Sequence, residues 1–303
     1  MIATRRGEPT DAVSIAQRIA ESLASVQGVS AVVLGGSQAR GTARPDSDID
    51  IGIYYHPAQP LDIAGLQVLA IELDDQHRPG TVTEPGEWGP WVNGGAWLTV
   101  GGRRVDLLYR DIERVTSVIQ DCRDGRITAD YYLGHPHAFH NFMYLGEIAT
   151  CVPLHDPGNI VSALKALVTP YPPRMKDAII GRYLYEARFM LEVSRSPVRR
   201  EDVFAASGFF FRVVAALVQV LYALNEEWFL NEKGALERIQ EMEFRPARFV
   251  TTARRVLARP GSTGPQLEAS LVALERIVSS VERLVRRTAG SVAWQDRRWR
   301  LPA

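Results

Sequence analysis

One stretch constrains this chain more than any other: Gly35-Gly36-Ser37-Gln38-Ala39-Arg40-Gly41, then Ser47-Asp48-Ile49-Asp50-Ile51-Gly52. Residues 29–34 before it, Val-Ser-Ala-Val-Val-Leu, predict a buried strand. Two glycines let the backbone turn sharply and approach a ligand closely. Ser37 then stands where a short helix should open, with N–H groups suited to an anion. The segment after Ser47 predicts a second strand. Side chains alternate along a strand, so Asp48 and Asp50 share one face while Ile49, Ile51 and Ile53 take the other. Neighbouring carboxylates repel one another and cost solvation when buried unpaired. A bound divalent cation is the simplest reason to hold them together. Mg²⁺ suits such a site, because it takes one or two carboxylates plus phosphate oxygens and water. A phosphate turn beside paired carboxylates describes a site for a metal-bound nucleoside triphosphate. It is not a Walker loop, since no Gly-Lys-Ser/Thr follows the glycines.

An apolar strand, Gly36-Ser37, about ten residues from Gln38 to Ser47, and Asp48-Ile49-Asp50 resemble the signature of the DNA polymerase β-like nucleotidyltransferase superfamily. That family has a third carboxylate on a later strand, and Val105-Asp106-Leu107-Leu108 resembles its setting. The resemblance implies an α+β fold, with a mixed-sheet nucleotidyltransferase core followed by an all-α helical bundle. The boundary is expected near residue 125, giving a catalytic domain over 1–125 and a helical domain over 126–303. The resemblance also implies two Mg²⁺ ions and a nucleoside triphosphate (NTP) as substrate. Asp48 and Asp50 would bind the metal that bridges the triphosphate. Asp106 would bind a second metal or act as base on the acceptor hydroxyl. Gly36 and Ser37 would hold the β- and γ-phosphates, with Ser47 closing the motif. Arg40 would reach the same phosphates, or else pair with Asp46 as a surface arginine.

Composition narrows the acceptor. Lys+Arg and Asp+Glu both number 35, so the chain lacks the basic surplus of a protein that grips long nucleic acid. A small acceptor is expected, such as an antibiotic or a metabolite, with a protein or tRNA end left open. The alternative is a non-catalytic nucleotide- or partner-binding module, for example an antitoxin-like member of the same fold. A homodimer is also left open. Cys122 and Cys151 have no metal or disulfide pattern around them. Met1-Ile2-Ala3-Thr4-Arg5-Arg6 leads into no apolar run, so no signal peptide is expected. The longest apolar stretch, Phe209 to Leu224, is interrupted by Arg212 and Gln219 and predicts a buried helix rather than a membrane span. A reducing cytoplasm fits these features.

Along the chain, the periodicity predicts a helix from Pro9-Thr10-Asp11 to about Gln27, a strand to Tyr55, a helix over 61–73 and a hairpin over 96–109. Helices are expected at 111–123, 139–149, 159–168, 173–193, 201–229, 233–242, 245–258 and 265–287. The run Leu221 to Gly234 resembles a segment of helical domains attached to small nucleotidyltransferases, in which an Asn and a later Lys face the nucleotide. That resemblance implies roles for Tyr222, Asn225 and Lys233, against a plain helix-packing Asn and a surface Lys. Trp88 and Trp91 are candidates to stack on a base or ring-shaped acceptor, although tryptophans in a Gly-rich loop more often pin the loop to the core. Glu84, Glu87 and Glu186 are candidate bases, with a solvated acid the better expectation for each. His135, His137 and His140 offer imidazoles without a completing Cys or acid, and surface histidines are expected. The arginines 286, 287, 297, 298 and 300 predict a solvated helix end and tail.

Overall fold

A computed structural model describes residues 12–288. The helix start at Pro9–Asp11, the residues 1–6 and Arg297, Arg298 and Arg300 lie outside the described residues. In chain order the elements are α1 (Ala12–Leu23), β1 (Ala31–Leu34), α2 (Gly36–Ala39), β2 (Ile49–Tyr55), α3 (Ile63–Leu73), α4 (Gly89–Val92), β3 (Gly95–Val100), β4 (Arg103–Asp111) and α5 (Ile112–Arg123). Then follow β5 (Ala129–Asp130), β6 (Phe139–His140), α6 (Met143–Thr150), β7 (Val152–His155), α7 (Ile160–Val168), α8 (Pro173–Arg199), α9 (Val203–Leu224), α10 (Ala235–Glu241), α11 (Phe249–Ala258) and α12 (Gly264–Thr288). This is an α+β chain: a mixed-sheet core, then a helical region.

Two compact units divide the elements. Among the described residues, 12–123 join 141–172 in one, and 124–140 join 173–288 in the other. The first crossing falls beside the expected boundary at 125. Residues 141–172, however, return to the first unit, where α6, β7 and α7 complete it. A single cut in the sequence has no way to express that return.

The first unit is built on a five-stranded sheet in the order β3-β4-β2-β1-β7. Its β2–β4 pair is parallel and its other pairs are antiparallel. Ile49, Ile51 and Ile53 of β2, Val105, Leu107 and Tyr109 of β4, and Ala96, Leu98 and Val100 of β3 face one side. There they form a core with Ile15, Ile19 and Leu23 of α1 and Leu66 and Ala70 of α3. Asp62 caps α3 by accepting a hydrogen bond from the Gly65 N–H at 2.9 Å. The strand β7 is an addition to the expected elements, and Pro153 sits inside it. Proline cannot donate to a ladder, but β7 lies at the sheet edge and its register slips between Val32 and Val33.

On the opposite sheet face Arg110 is buried beneath α6. It gives Nε and Nη2 hydrogen bonds to Glu147 at 2.9 and 3.0 Å and lies over the Tyr144 ring. Burial alone would ease the Arg110 proton off, but the Glu147 charge outweighs it and holds the guanidinium charged. Removing one partner of such a pair strands the other charge. Glu147→Ala is therefore expected to lower unfolding stability by about 3 kcal/mol in urea titrations. The double replacement Arg110→Met/Glu147→Ala should recover part of that loss, whereas additive losses would mean the pair carries no coupling.

In the second unit α8 and α9 form the principal pair. Helix α12 packs on both, and α10 and α11 pack on α9. By length and composition α9 could cross a membrane, and among the described residues it alone could. It is instead the core helix of its unit, buried from Val213 to Leu224, and its Arg212 pairs with Glu186 of α8. His137 and His140 are buried here rather than at the surface, which corrects the expectation of ordinary surface histidines. The His140 and Tyr183 side chains meet at 2.7 Å, and His137 reaches Glu186 at 3.1 Å. Burial, with help from the neighbouring His137, holds the His140 pKa well below the usual histidine value. A depressed native pKa means that the unfolded chain takes up the proton first as pH falls. Stability is therefore expected to decline as pH drops below about 6.5. The decline should flatten in His140→Phe, as read by denaturant midpoints from pH 7.5 to 5; an unchanged slope would exclude His140 as its source.

Candidate functional site

The parallel pairing of β2 with β4 places Asp50 opposite Asp106, and the antiparallel β3 places Trp97 opposite Asp106. Residues in register share a sheet face. Asp50, Asp106 and Trp97 thus stand together on the face away from the α1/α3 core, with Asp48 just before β2 continuing the alternation. A pocket of about 350 Å³ opens there, lined by Asp48, Arg78, Trp97, Leu98, Thr99, Arg104 and Asp106.

The glycine turn after β1 is fitted to this face. The Gly35 N–H donates to the Asp50 carbonyl at 2.8 Å. Gly36 has φ of 59°, and a Cβ placed on it would fall 1.7 Å from Asp50 Oδ2. The Asp50 carboxylate occupies the space a side chain would need. Only glycine satisfies both the left-handed backbone and that approach.

A family model for the nucleotidyltransferase domain matches residues 16–127, the span that holds β1, the glycine turn, β2, β3 and β4. Residues 16–127 are a nucleotidyltransferase domain of the polymerase β-like kind. Among solved structures, a nucleotidyltransferase-like protein from Exiguobacterium sibiricum 255-15 is similar to this chain at 10% identity. That similarity covers 90% of this chain and 77% of that one, with a TM-score of 0.45. No curated protein matches the chain.

Within the nucleotidyltransferase domain, the expected residues fall into two groups. Gly36, Asp50 and Asp106 gather as described, and Asp48 lines the same pocket. Asp48 is ion-paired: Arg104 Nε lies 2.6 Å from its Oδ1, an atom that is buried and accepts no hydrogen bond. Ser37 lies in the first turn of α2, beside Gly36. Arg40 folds back along α2, its Nε donating to the Gly36 carbonyl at 3.2 Å, so its guanidinium stays beside the turn. Ser47 serves the loop instead. Its Oγ accepts from the Arg44 N–H at 2.9 Å, and its carbonyl accepts from Arg103 at 3.1 Å.

Tyr222, Asn225 and Lys233 belong to the second unit. The Asn225 amide is spent on the end of α9: it donates to the Leu221 and Phe244 carbonyls and accepts from the Phe244 N–H at 2.8 Å. Tyr222 is buried edge-on to Phe229, and Lys233 is exposed. Glu186 sits in the same unit. Burial would raise its pKa, but hydrogen bonds from His137 and Arg212 win and hold it down at about 2, too acidic for a base near neutrality. Glu84 and Glu87 are exposed.

The aromatic expectation shifts by one residue set. Trp91 is buried against Tyr144 and Arg114, and Trp88 stacks on Trp97 with centroids 4.5 Å apart. Trp97, 62% exposed and beside Asp106, is the indole that faces the pocket. Its signal was in the sequence: Ala96, Leu98 and Val100 alternate inward, so Trp97 must point out. Arg78 at the rim is fixed by buried Asp74, to which it donates two hydrogen bonds at 2.8 Å. The Arg78 hydrogen bonds, together with the Thr99 N–H, hold the Asp74 carboxyl far below the usual carboxylate range despite its burial.

Among the described residues, no three His, Cys, Asp or Glu side chains are gathered tightly enough to hold a metal as they stand. The donor chemistry nonetheless fits Mg²⁺: hard carboxylate oxygens on one sheet face, one tucked against a glycine cradle. Asp48 would have to leave Arg104 to join them. Gly36 and Gly41 offer a matched test of the cradle. Both have positive φ, at 59° and 67°, but nothing lies within 4 Å of a Cβ at Gly41. Gly41→Ala should cost about 1 kcal/mol, the strain of a left-handed alanine. Gly36→Ala should cost clearly more in the same unfolding assay, because Asp50 must move; equal costs would mean that the carboxylate does not depend on the cradle.

Proposed function

We propose that this protein transfers a nucleoside monophosphate from an NTP to an acceptor hydroxyl, with release of pyrophosphate. One observation carries the reading: Asp50 and Asp106 stand in register on neighbouring parallel strands, with the Gly36 turn packed on Asp50. Asp48, Asp50 and Asp106 would hold Mg²⁺. When bound, Mg²⁺ would neutralise charge on the transferring phosphate and the leaving pyrophosphate.

The chain's own residues supply the rest. Backbone N–H groups around Gly36 and Ser37, with the Arg40 guanidinium beside them, would bind triphosphate oxygens. The triphosphate would then lie on the β1 side of the acid row. Asp106 stands on the β3 side, so it would meet the acceptor and take the hydroxyl proton. Trp97, backed by Trp88, would form the acceptor's wall, and a flat or ring-bearing small molecule suits an exposed indole. The balanced formal charge supports a small acceptor over long nucleic acid. Cys122 and Cys151 are buried, with thiols pushed up to about 12 and about 11, mainly by burial, and the reading gives them no role.

The experiment incubates the protein with each of the four labelled ribonucleoside triphosphates, Mg²⁺ and a panel of small hydroxyl acceptors. The expected outcome is acceptor-dependent pyrophosphate release. Asp48→Asn/Asp50→Asn should lower it by at least about 100-fold, the scale of losing charge stabilisation at a transferring phosphate. Triphosphate binding without transfer to any acceptor would instead favour a nucleotide-binding module.

A further inference from the structure

Arg104 has no role in the reading above, yet it is the residue that touches Asp48. It lies two residues before Asp106 on β4, so both side chains rise from the same face. It lines the pocket with Asp48 and Asp106, and in its observed position it pairs with Asp48 at 2.6 Å. Its side chain is 71% exposed, so no packing fixes it there. A pair whose guanidinium stands in solvent, even over a buried oxygen, is weak and exchanges readily for a better partner. A triphosphate is such a partner, because a guanidinium fork fits phosphate oxygens as well as a carboxylate.

We propose that Arg104 is a positioning residue that makes the carboxylate site depend on nucleotide: it holds Asp48 until a triphosphate arrives, then passes to the phosphates and frees Asp48. The proposal rests on the nucleotidyltransferase reading of the site. A divalent cation arriving alone meets a like charge on Arg104 and an occupied Asp48. A cation arriving with a triphosphate brings net negative charge, and Arg104 changes partner without losing an ion pair. Cation and polyphosphate thus bind cooperatively, and by linkage each strengthens the other by the same factor.

The test uses the full chain, Mn²⁺ as the metal probe and inorganic tripolyphosphate as the base-independent anion. Without polyphosphate, Arg104→Met should bind Mn²⁺ roughly three- to fivefold more tightly than the wild type, the range open to a weak exposed pair. With Mg²⁺ present, the same variant should bind tripolyphosphate more weakly. A merely structural role would not move the two affinities in opposite directions. Arg104→Lys, which keeps the charge and loses the fork, should lie between. Arg103→Gln controls for net charge, since Arg103 donates to the Ser47 carbonyl and should change Mn²⁺ affinity less. If Arg104→Met gains no Mn²⁺ affinity while Asp48→Asn loses it, the Arg104 proposal is wrong and the carboxylate site stands. If neither the wild type nor Arg104→Met binds Mn²⁺ with or without tripolyphosphate, the reading of the site itself fails and takes the proposal with it.

Discussion

The parallel pairing of β2 with β4 is the constraint on which the site depends. It alone brings Asp50 level with Asp106, residues 56 positions apart in the chain. The pairing is held from the other side of the sheet. Ile49, Ile51 and Ile53 and their neighbours Val105 and Leu107 are driven against α1 and α3 by burial of apolar surface. Because strand side chains alternate, the same register that buries the isoleucines presents the acids. A one-residue slip would exchange the two sets, burying carboxylates and exposing isoleucines, so the hydrophobic core and the acid row specify one another.

Most of this is legible in the sequence. The Asp48-Ile49-Asp50-Ile51 alternation fixes which side chains share a face, and Gly35-Gly36 marks a turn where a backbone comes close to something. The periodic helices were equally clear, and α8, α9, α11 and α12 begin and end within a few residues of their expected limits, apart from the last turns of α8 and α9 and the first of α11. What a single sequence hides is what lies opposite. Nothing in the run Gly36-Ser37 says that the neighbour of Gly36 is the Asp50 carboxylate. Nor does Arg104 announce that it meets Asp48, since that contact depends on strand register.

The misreadings have physical causes of their own. Val152–His155 carries Pro153, which a central strand would not accept, whereas an edge tolerates it. Asn225 has the chemistry of a ligand group, and three histidines around a proline read as surface residues because polar side chains usually stay in water. In the fold the Asn225 amide closes a helix end, and His137 and His140 meet Glu186 and Tyr183 in the interior. Polar groups of that kind become expensive when buried, so the partners they find within the unit are a sufficient reason for their presence. Trp91 pins its loop to the core, while Trp88 stacks on Trp97, the exposed indole on the adjacent strand.

The central claim is that three carboxylates on one sheet face hold a cation beside the Gly36 turn. Crystals soaked with Mn²⁺ and tripolyphosphate test it most directly, through the anomalous signal of the metal. The account predicts a Mn²⁺ peak coordinated by Asp48, Asp50 and Asp106, with polyphosphate oxygens against Gly36 and Ser37 and the Arg104 guanidinium turned onto the anion. Mn²⁺ bound only elsewhere on the molecule, with Asp48 still held by Arg104 while polyphosphate is present, would contradict it.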